Sequence, residues 1–315
     1  MACDLRKGRG DTMAQTVVMQ MTPEHFDGWA DLYNRFHGRF SWILPMDTKE
    51  CLDLLAEGPA SRSYVVLRGR RVVATATLDM RGSSTAAEIR NLAFHHGNQD
   101  AARSLLNDMA AVAKGKGFTS LYAWEYDSVT AAVRLLNGTG FSEEGHTSLL
   151  LFRLDKRTAN PRSSSVVFMS LADGLSIDSF VEANRVAFEA EGYRLLESAE
   201  LERWVSNFEG YVPSCQLAAQ IGNAIVGTVM SEIGKVRPGR SLAKVAWVYG
   251  LGVIPDARRQ GIGTGLMNEL LKRLQFQGVC EVWLVTDAEG GIRAFYEQLG
   301  FRHHTYFTKY SRSVD

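Results

Sequence analysis

The sequence is most informative at Val245-Ala-Trp-Val-Tyr-Gly-Leu-Gly-Val253, which is followed by Ile254-Pro-Asp-Ala-Arg-Arg-Gln260 and then by Gly261-Ile-Gly-Thr-Gly265. This pattern predicts an apolar strand, a short polar elbow, and a glycine run that opens a helix over residues 266–274. The first N–H groups of a helix have no partner inside it, and the helix dipole attracts negative charge to that end. Because two arginines lie beside the glycines, we expect a cradle for a diphosphate here.

Two common phosphate-binding motifs fit this stretch poorly. A P-loop carries Gly-Lys-Ser/Thr after its glycines, whereas the next lysine here is Lys272. A dinucleotide-binding fingerprint has the form G-x-G-x-x-G and follows its strand directly. Here seven residues separate Val253 from Gly261, and Gly265 comes one position early, although Glu281 lies 20 residues after Gly261 as that motif would require.

A third motif fits better. Arg258-Arg-Gln-Gly-Ile-Gly263 resembles R/Q-x-x-G-x-G/A, the acyl-CoA pyrophosphate loop of the GNAT N-acetyltransferase superfamily. Leu251-Gly-Val-Ile-Pro-Asp256 resembles that family's fourth strand and its exit, and Phe295-Tyr-Glu-Gln-Leu-Gly-Phe301 resembles its closing helix and turn. Strand, loop, helix, strand and Tyr-x-x-x-Gly-Phe in this order make the resemblance specific.

Composition narrows the class of protein. The formal net charge is zero, which predicts no general attraction to nucleic acid or to a membrane surface. The four cysteines are scattered without a C-x-x-C pair, which is typical of a reducing cytoplasm rather than of a disulfide framework or a zinc site. No apolar run reaches the length of a membrane span, and no histidine has metal-ligand spacing, so no metal site is expected.

The sequence predicts two copies of one fold. We expect a loose tail over residues 1–13, a first domain over 14–156, a polar linker over 157–165 and a second domain over 166–315. Segments 98–141 and 258–301 are both 44 residues long and align without a gap at an offset of 160. With the resemblance, this implies an α/β (α+β) protein made of two tandem GNAT folds, each a mixed, mostly antiparallel twisted sheet flanked by helices.

The first copy lacks the features that would hold a diphosphate. Its aligned loop reads Asn98-Gln-Asp-Ala-Ala-Arg103, with Ala101 and Arg103 at glycine positions and an acidic Asp100 between them. Leu136 replaces the tyrosine of the second copy. We therefore expect a degenerate, non-binding first domain and a catalytic second domain.

The resemblance implies acetyl-CoA, or another acyl-CoA, as co-substrate. It implies that backbone groups of Leu251 and Val253 pair with the pantetheine arm, and that an N–H near Gly252 and Val253 contacts the thioester oxygen. It further implies that the backbone amides of four loop residues hold the pyrophosphate: Gln260, Gly261, Gly263 and Thr264. The side chains of Arg258 and Arg259 would steer the pyrophosphate toward these amides.

The resemblance also implies catalytic residues. Tyr296 occupies the family's general-acid position and would protonate the leaving thiolate. The glutamate that many members carry on the fourth strand is Trp247 here, whereas Glu88 takes that position in the first copy. Glu232, on the preceding strand, is the first candidate for the general base, followed by Glu189, Glu191 and Tyr249. Glu289 replaces an asparagine that often contacts the cofactor.

Together these features imply a cytoplasmic acyl-CoA-dependent N-acyltransferase that transfers an acyl group, usually acetyl, directly to a small-molecule amine. No nucleic acid or membrane partner is expected, and a homodimer is compatible with this interpretation. Because Trp247 replaces the family's glutamate, a non-catalytic acyl-CoA-binding sensor is the alternative. A nucleotide-dependent oxidoreductase is a third class, and it would bind NAD(P) in place of CoA.

Overall fold

A computed structural model describes residues 16–40, 42–56, 58–154, 166–189, 196–236 and 243–314. The expected tail over 1–13 and the expected linker over 157–165 lie outside these ranges. The first part of the chain runs strand, two helices, three strands, helix, strand, helix and strand. Its elements are β1 (Thr16–Gln20), α1 (Phe26–His37), α2 (Thr48–Ala56), β2 (Ser61–Arg68), β3 (Arg71–Asp79), β4 (Ala86–Phe94), α3 (Gln99–Gly115), β5 (Ser120–Tyr126), α4 (Thr130–Asn137) and β6 (Ser142–Arg153).

The second part repeats the same order of elements, which confirms the internal repeat. Its elements are β7 (Val167–Ser170), α5 (Ile177–Phe188), α6 (Ser198–Asn207), β8 (Leu217–Ile221), β9 (Ala224–Val236), β10 (Ala243–Val253), α7 (Ile262–Phe276), β11 (Val279–Asp287), α8 (Gly291–Gln298) and β12 (Arg302–Ser313). We call β1 to β6 with their helices the first half, and β7 to β12 with theirs the second half. None of the described helices is long and apolar enough to cross a membrane.

All twelve strands belong to one sheet, in the order β1-β2-β3-β4-β5-β12-β6-β11-β10-β9-β8-β7. The two halves exchange their last strands. Strand β12, the end of the second half, pairs with β5 of the first half, and β6, the end of the first half, pairs with β11 of the second. The two exchanged strands also pair with each other in antiparallel fashion at the centre of the sheet. The halves are therefore joined by backbone hydrogen bonds as well as by side-chain packing.

Each half contains one pair of parallel strands that diverge from each other toward one end. Strands β4 and β5 pair only over Ala86–Ile89 and Ser120–Ala123. Strands β10 and β11 pair over Lys244–Trp247 and Val279–Trp283. Beyond these residues the strands of each pair no longer pair with each other, which leaves a slot between them. Slots of this kind expose backbone groups that an extended ligand can reach.

A bulge lies at the same place in both halves. Asn91 on β4 has φ 55° and Gly250 on β10 has φ 52°, and in both cases the register with the neighbouring strand shifts. This left-handed region is open to glycine and is tolerated by asparagine. The two bulges are 159 residues apart, one less than the offset over the helices. The bulge turns the end of each strand away from its parallel partner.

The N-terminal boundary of α7 differs from the expected one. Helix α7 begins at Ile262 and not at Leu266, so the glycines form its first turn and not a loop before it. Helix α3, the counterpart of α7 in the first half, begins at Gln99. Apolar periodicity is a weak signal over a helix's first turn, which often lies at the surface.

Candidate acyl-CoA site

The glycine cradle lies at the N-terminus of α7. Gly261 is the residue that precedes the helix and has φ 79°, in the left-handed region, and Arg259 before it has φ 64°. Residues 258–261 and Thr264 are exposed. The residue before α7 and part of its first turn are therefore open to solvent beyond the end of β10, where unpaired helix N–H groups favour an anion such as a diphosphate.

Glycine occupies positions 261, 263 and 265 for different structural reasons. Gly261 needs its left-handed backbone, although a Cβ there would meet no other atom within 4 Å. At Gly265 a Cβ would lie 2.4 Å from Cζ of Phe168 on β7, so this glycine allows the helix to pack on the sheet. At Gly263 a Cβ would touch Phe295 only at an ordinary 3.6 Å. The protein's own packing therefore leaves room for a ligand at Gly263.

The two arginines have different environments. Arg258 donates from Nε to the Val253 carbonyl at 2.9 Å and from a terminal guanidinium nitrogen to the Ala187 carbonyl at 3.0 Å. It thus ties the exit of β10 to the end of α5, in addition to bringing positive charge to the cradle. Arg259 is exposed beside Gly261. The side-chain amide of Gln260 donates to the Asp256 carbonyl at 3.2 Å, which closes the elbow.

Backbone geometry sets the direction of the Val253 N–H. The N–H of Ile254 donates to the Val226 carbonyl of β9 at 3.0 Å. Successive N–H groups of an extended strand point to opposite sides. The N–H of Val253 therefore points away from β9, toward the slot between β10 and β11.

Asn184 on α5 supports the bulge and was not singled out from the sequence. It is buried, and its amide donates to the Gly250 carbonyl at 3.3 Å and to Oγ1 of Thr228 at 3.1 Å. A Cβ at Gly252 would lie 2.7 Å from the side chains of Ala187 and Phe188. Helix α5 thus packs directly on the backbone of the bulge. A polar residue on the apolar face of a predicted helix was the signal that could have revealed Asn184.

Tyr296 lies on α8 with 9% of its surface exposed, and its ring contacts Phe295 and Phe301 edge-on. Burial raises the pKa of Tyr296 to about 12. The phenol consequently keeps its proton at neutral pH, as a proton donor to a thiolate must.

Glu232 lies beside Trp247, at the position where the resemblance predicts a glutamate. In the antiparallel pair of β9 and β10, Glu232 is the register partner of Trp247, so both side chains are on one face of the sheet. The hydroxyl of Tyr249 donates to Oε2 of Glu232 at 3.1 Å, and the Tyr249 ring stacks with Trp247. Burial raises the pKa of Glu232, although the hydrogen bond from Tyr249 acts in the opposite direction.

The remaining candidate bases are placed less favourably. Glu189 is exposed at the end of α5 and forms an ion pair with Arg185 at 3.1 Å. Glu191 lies outside the described residues. Glu289, which the resemblance places at a cofactor contact and not as a base, is exposed in the loop before α8. Glu88 lies in the first half, where the Tyr122 hydroxyl donates to it at 3.4 Å.

The first half keeps the slot and differs at the cradle. Helix α3 begins at Gln99, with Asp100 exposed in its first turn and Ala101 buried where the second half has Gly261. Leu136, at the position of Tyr296, is fully buried in the core.

Comparison with known proteins agrees with this geometry. Residues 177–301 match the acetyltransferase (GNAT) family. The chain is 27% identical over 230 residues to the mycothiol acetyltransferase of Renibacterium salmoninarum, which covers 68% of this chain and 63% of that protein. It is 35% identical over 71 residues to the ribosomal protein bS18-alanine N-acetyltransferase of Escherichia coli, which covers 22% of this chain and 48% of that protein. The chain thus spans less than two thirds of the length of either relative.

Among solved structures, the chain resembles a tandem GNAT protein from the clavulanic acid biosynthesis pathway. The TM-score is 0.74 at 16% sequence identity, and the match covers 96% of this chain and 99% of that one. The chain therefore carries a GNAT acetyltransferase domain in its second half, and as a whole it has the tandem GNAT fold.

Proposed function

We propose that this protein is an acyl-CoA-dependent N-acyltransferase whose second half transfers an acyl group, most simply acetyl, to a small-molecule amine. One observation carries the proposal: the exposed N-terminus of α7, with Gly261 in the left-handed region, lies at the end of an open slot between β10 and β11. In this proposal the diphosphate binds at the N–H groups of the cradle, Arg258 and Arg259 neutralise its charge, and the pantetheine arm lies along Leu251 and Val253.

The chemistry assigned to the site is direct transfer. Glu232 takes the proton that the attacking amine loses, either directly or through the hydroxyl of Tyr249. The N–H of Val253 donates a hydrogen bond to the thioester oxygen as negative charge develops on it. Tyr296 gives its proton to the sulfur as the C–S bond breaks. Glu232 suits the first step because its raised pKa makes it a stronger base than an exposed glutamate.

A small amine is the acceptor that the site favours. The backbone at Gly210 packs closely on the Glu232 side chain, since a Cβ added at Gly210 would lie 2.9 Å from Cγ of Glu232. The mycothiol acetyltransferase relative is named for a small-molecule acceptor, whereas the bS18-alanine relative is named for a protein and matches over a much shorter length. We place the reaction in the cytoplasm, where acyl-CoA is available, and assign the first half a structural role without acyl-CoA binding.

A non-catalytic acyl-CoA sensor is the second candidate, and Trp247 in place of the family's glutamate is the observation that favours it. A thiol-release assay with acetyl-CoA across a panel of primary amines separates the two. Amine-dependent release of free CoA supports the transferase. Tight binding of acetyl-CoA without release on any amine of the panel would support the sensor and contradict the transferase.

A further inference from the structure

The slot of the first half forms a cavity of about 330 Å³, and its groups on α1 and β5 have no part in the proposed acyl transfer. It lies between the diverging ends of β4 and β5, where the second half has its acyl-CoA slot. Trp247 and Tyr249 of β10 form one side of it. A volume of this order is at the lower end of the range for small-molecule sites.

The cavity contains a buried carboxyl group. Glu125 on β5 is 8% exposed, and its Oε1 accepts a hydrogen bond from the N–H of Tyr126 at 2.9 Å. In the part of the chain that the structure describes, no basic side chain forms an ion pair with it. At the offset of 160, the second half has Val285 in this position. Burial raises the pKa of Glu125 to about 8, and the hydrogen bond from the Tyr126 N–H only partly offsets that effect.

His37 on α1 also lines the cavity, and one of its ring nitrogens has no hydrogen-bond partner in the described structure. The side chain is 6% exposed, and its Nε2 lies 3.2 Å from the Leu92 carbonyl. Because a carbonyl can only accept, Nε2 carries the proton and Nδ1 is left as an acceptor. Burial lowers the pKa of His37 to about 4, so the ring is neutral. Nδ1 is buried and has no hydrogen-bond partner in the described structure.

Aromatic rings form much of the remaining wall. Tyr33, Trp42, Tyr126 and Phe307 line the cavity together with Trp247 and Tyr249. The electron-rich faces of such rings attract organic cations. Two further charged residues, Glu88 and Arg90, also line the cavity, and Arg90 forms an ion pair with Asp79 at 3.2 Å. The lining thus combines two carboxyl groups, a guanidinium that is paired with Asp79, a neutral imidazole acceptor and aromatic faces.

We propose that this cavity binds an organic ammonium ion, with Glu125 as the counter-ion, Nδ1 of His37 as a hydrogen-bond acceptor and the aromatic rings around the apolar body of the ligand. The site goes beyond the proposed acyl transfer, since ammonium binding here does not require acetyl-CoA or the second half's cradle.

The test uses phenethylamine as the probe, without acetyl-CoA, at about pH 8.5, where the amine is still mostly charged and Glu125 is mostly ionised. Tryptophan fluorescence reports binding because Trp42, Trp124 and Trp247 line the cavity. The uncharged analogue 2-phenylethanol is titrated in parallel. The intact wild-type protein should bind the amine saturably and about tenfold more tightly than the alcohol. No saturable signal, or equal affinity for the two compounds, overturns the proposal without any substitution.

Variants then locate the ammonium group. Glu125→Gln should lower the affinity for phenethylamine about tenfold, toward that of the alcohol, while the amide oxygen still accepts from the Tyr126 N–H. Glu202→Gln, at an exposed glutamate on α6, is the matched control and should bind as the wild type does. Wild-type affinity in Glu125→Gln overturns the proposal. A loss of affinity in Glu232→Gln in place of Glu125→Gln would move the amine to the acceptor site and would also overturn it.

Discussion

At the scale of single residues, Trp247 lies where the resemblance predicts a glutamate, and the proposed base Glu232 lies one strand away. Glu232 is the direct register partner of Trp247, so a carboxylate remains on the same face of the sheet. A search along the sequence for a glutamate at one fixed position misses this exchange, because cross-strand neighbours are far apart in the chain. Glu232 is the first candidate because its predicted strand precedes β10, and its hydrogen bond with Tyr249 supports this proposal.

Glu232→Gln should reduce turnover by about 10²–10⁴-fold and leave the affinity for acetyl-CoA nearly unchanged, because the amide cannot accept the amine's proton. Burial raises the pKa of Glu232, so the wild-type rate should rise with pH as Glu232 loses its proton, at a higher pH than for an exposed glutamate. Steady-state kinetics across pH measure both effects. Glu202→Gln, at an exposed glutamate on α6, is the control. An unchanged pH profile in Glu232→Gln would remove its role.

Tyr296→Phe should lower turnover about tenfold to a hundredfold while the dissociation constant of acetyl-CoA stays close to that of the wild type. The substitution removes the proton donor and keeps the ring that packs on Phe295 and Phe301. Pre-steady-state kinetics and calorimetry separate the two quantities. Equal turnover in the variant would exclude Tyr296 as the general acid.

At the scale of elements, the unit that forms the site is β10, its bulge, and the first turn of α7. The strand, the elbow and the glycines were recognisable from the sequence, since glycine spacing and apolar runs are local signals. The support of the bulge was not, because Asn184 is 66 residues before Gly250 in the chain. Contacts of that range depend on the packing of α5 on the sheet, which no local pattern encodes.

Asn184→Ala should destabilise the protein by about 1–3 kcal/mol, because it leaves the Gly250 carbonyl and the Thr228 hydroxyl without this donor. The affinity for acetyl-CoA should fall as well, since the bulge shapes the strand against which the cofactor would lie. Urea unfolding and calorimetry provide the two measurements. Asn207→Ala, at an exposed position on α6, serves as the comparison. Wild-type stability in Asn184→Ala would show that the bulge does not depend on this side chain.

At the scale of the whole molecule, the repeat was readable and the strand exchange was not. The common offset of 160 and the matching Gly-Phe pairs, Gly140-Phe141 and Gly300-Phe301, indicate two copies of one fold. The final strands β6 and β12 have the same length and similar patterning, so the sequence does not tell which fifth strand each will join. The structure exchanges them, and it places the cavity with Glu125 where the first half meets β10.

Because each final strand lies in the other half's part of the sheet, the intact chain should unfold in a single cooperative transition. Differential scanning calorimetry should give a calorimetric enthalpy close to the van't Hoff value. Leu121→Ala, a buried change on β5 that should cost about 2–5 kcal/mol, should lower the midpoint of that whole transition. Two separable transitions, with only one of them moved by Leu121→Ala, would contradict the coupling of the halves.

Acyl-CoA binding by one half alone can be tested by calorimetric titration of acetyl-CoA into the intact protein and two glycine variants. Gly261→Val places a branched side chain at φ 79° in the cradle, and Gly278→Val does so at φ 76° just beyond the other end of the same helix. We predict one binding site per chain in the wild type and in Gly278→Val, and loss of that site in Gly261→Val. Two sites per chain, or wild-type affinity in Gly261→Val, would contradict the assignment of the cradle.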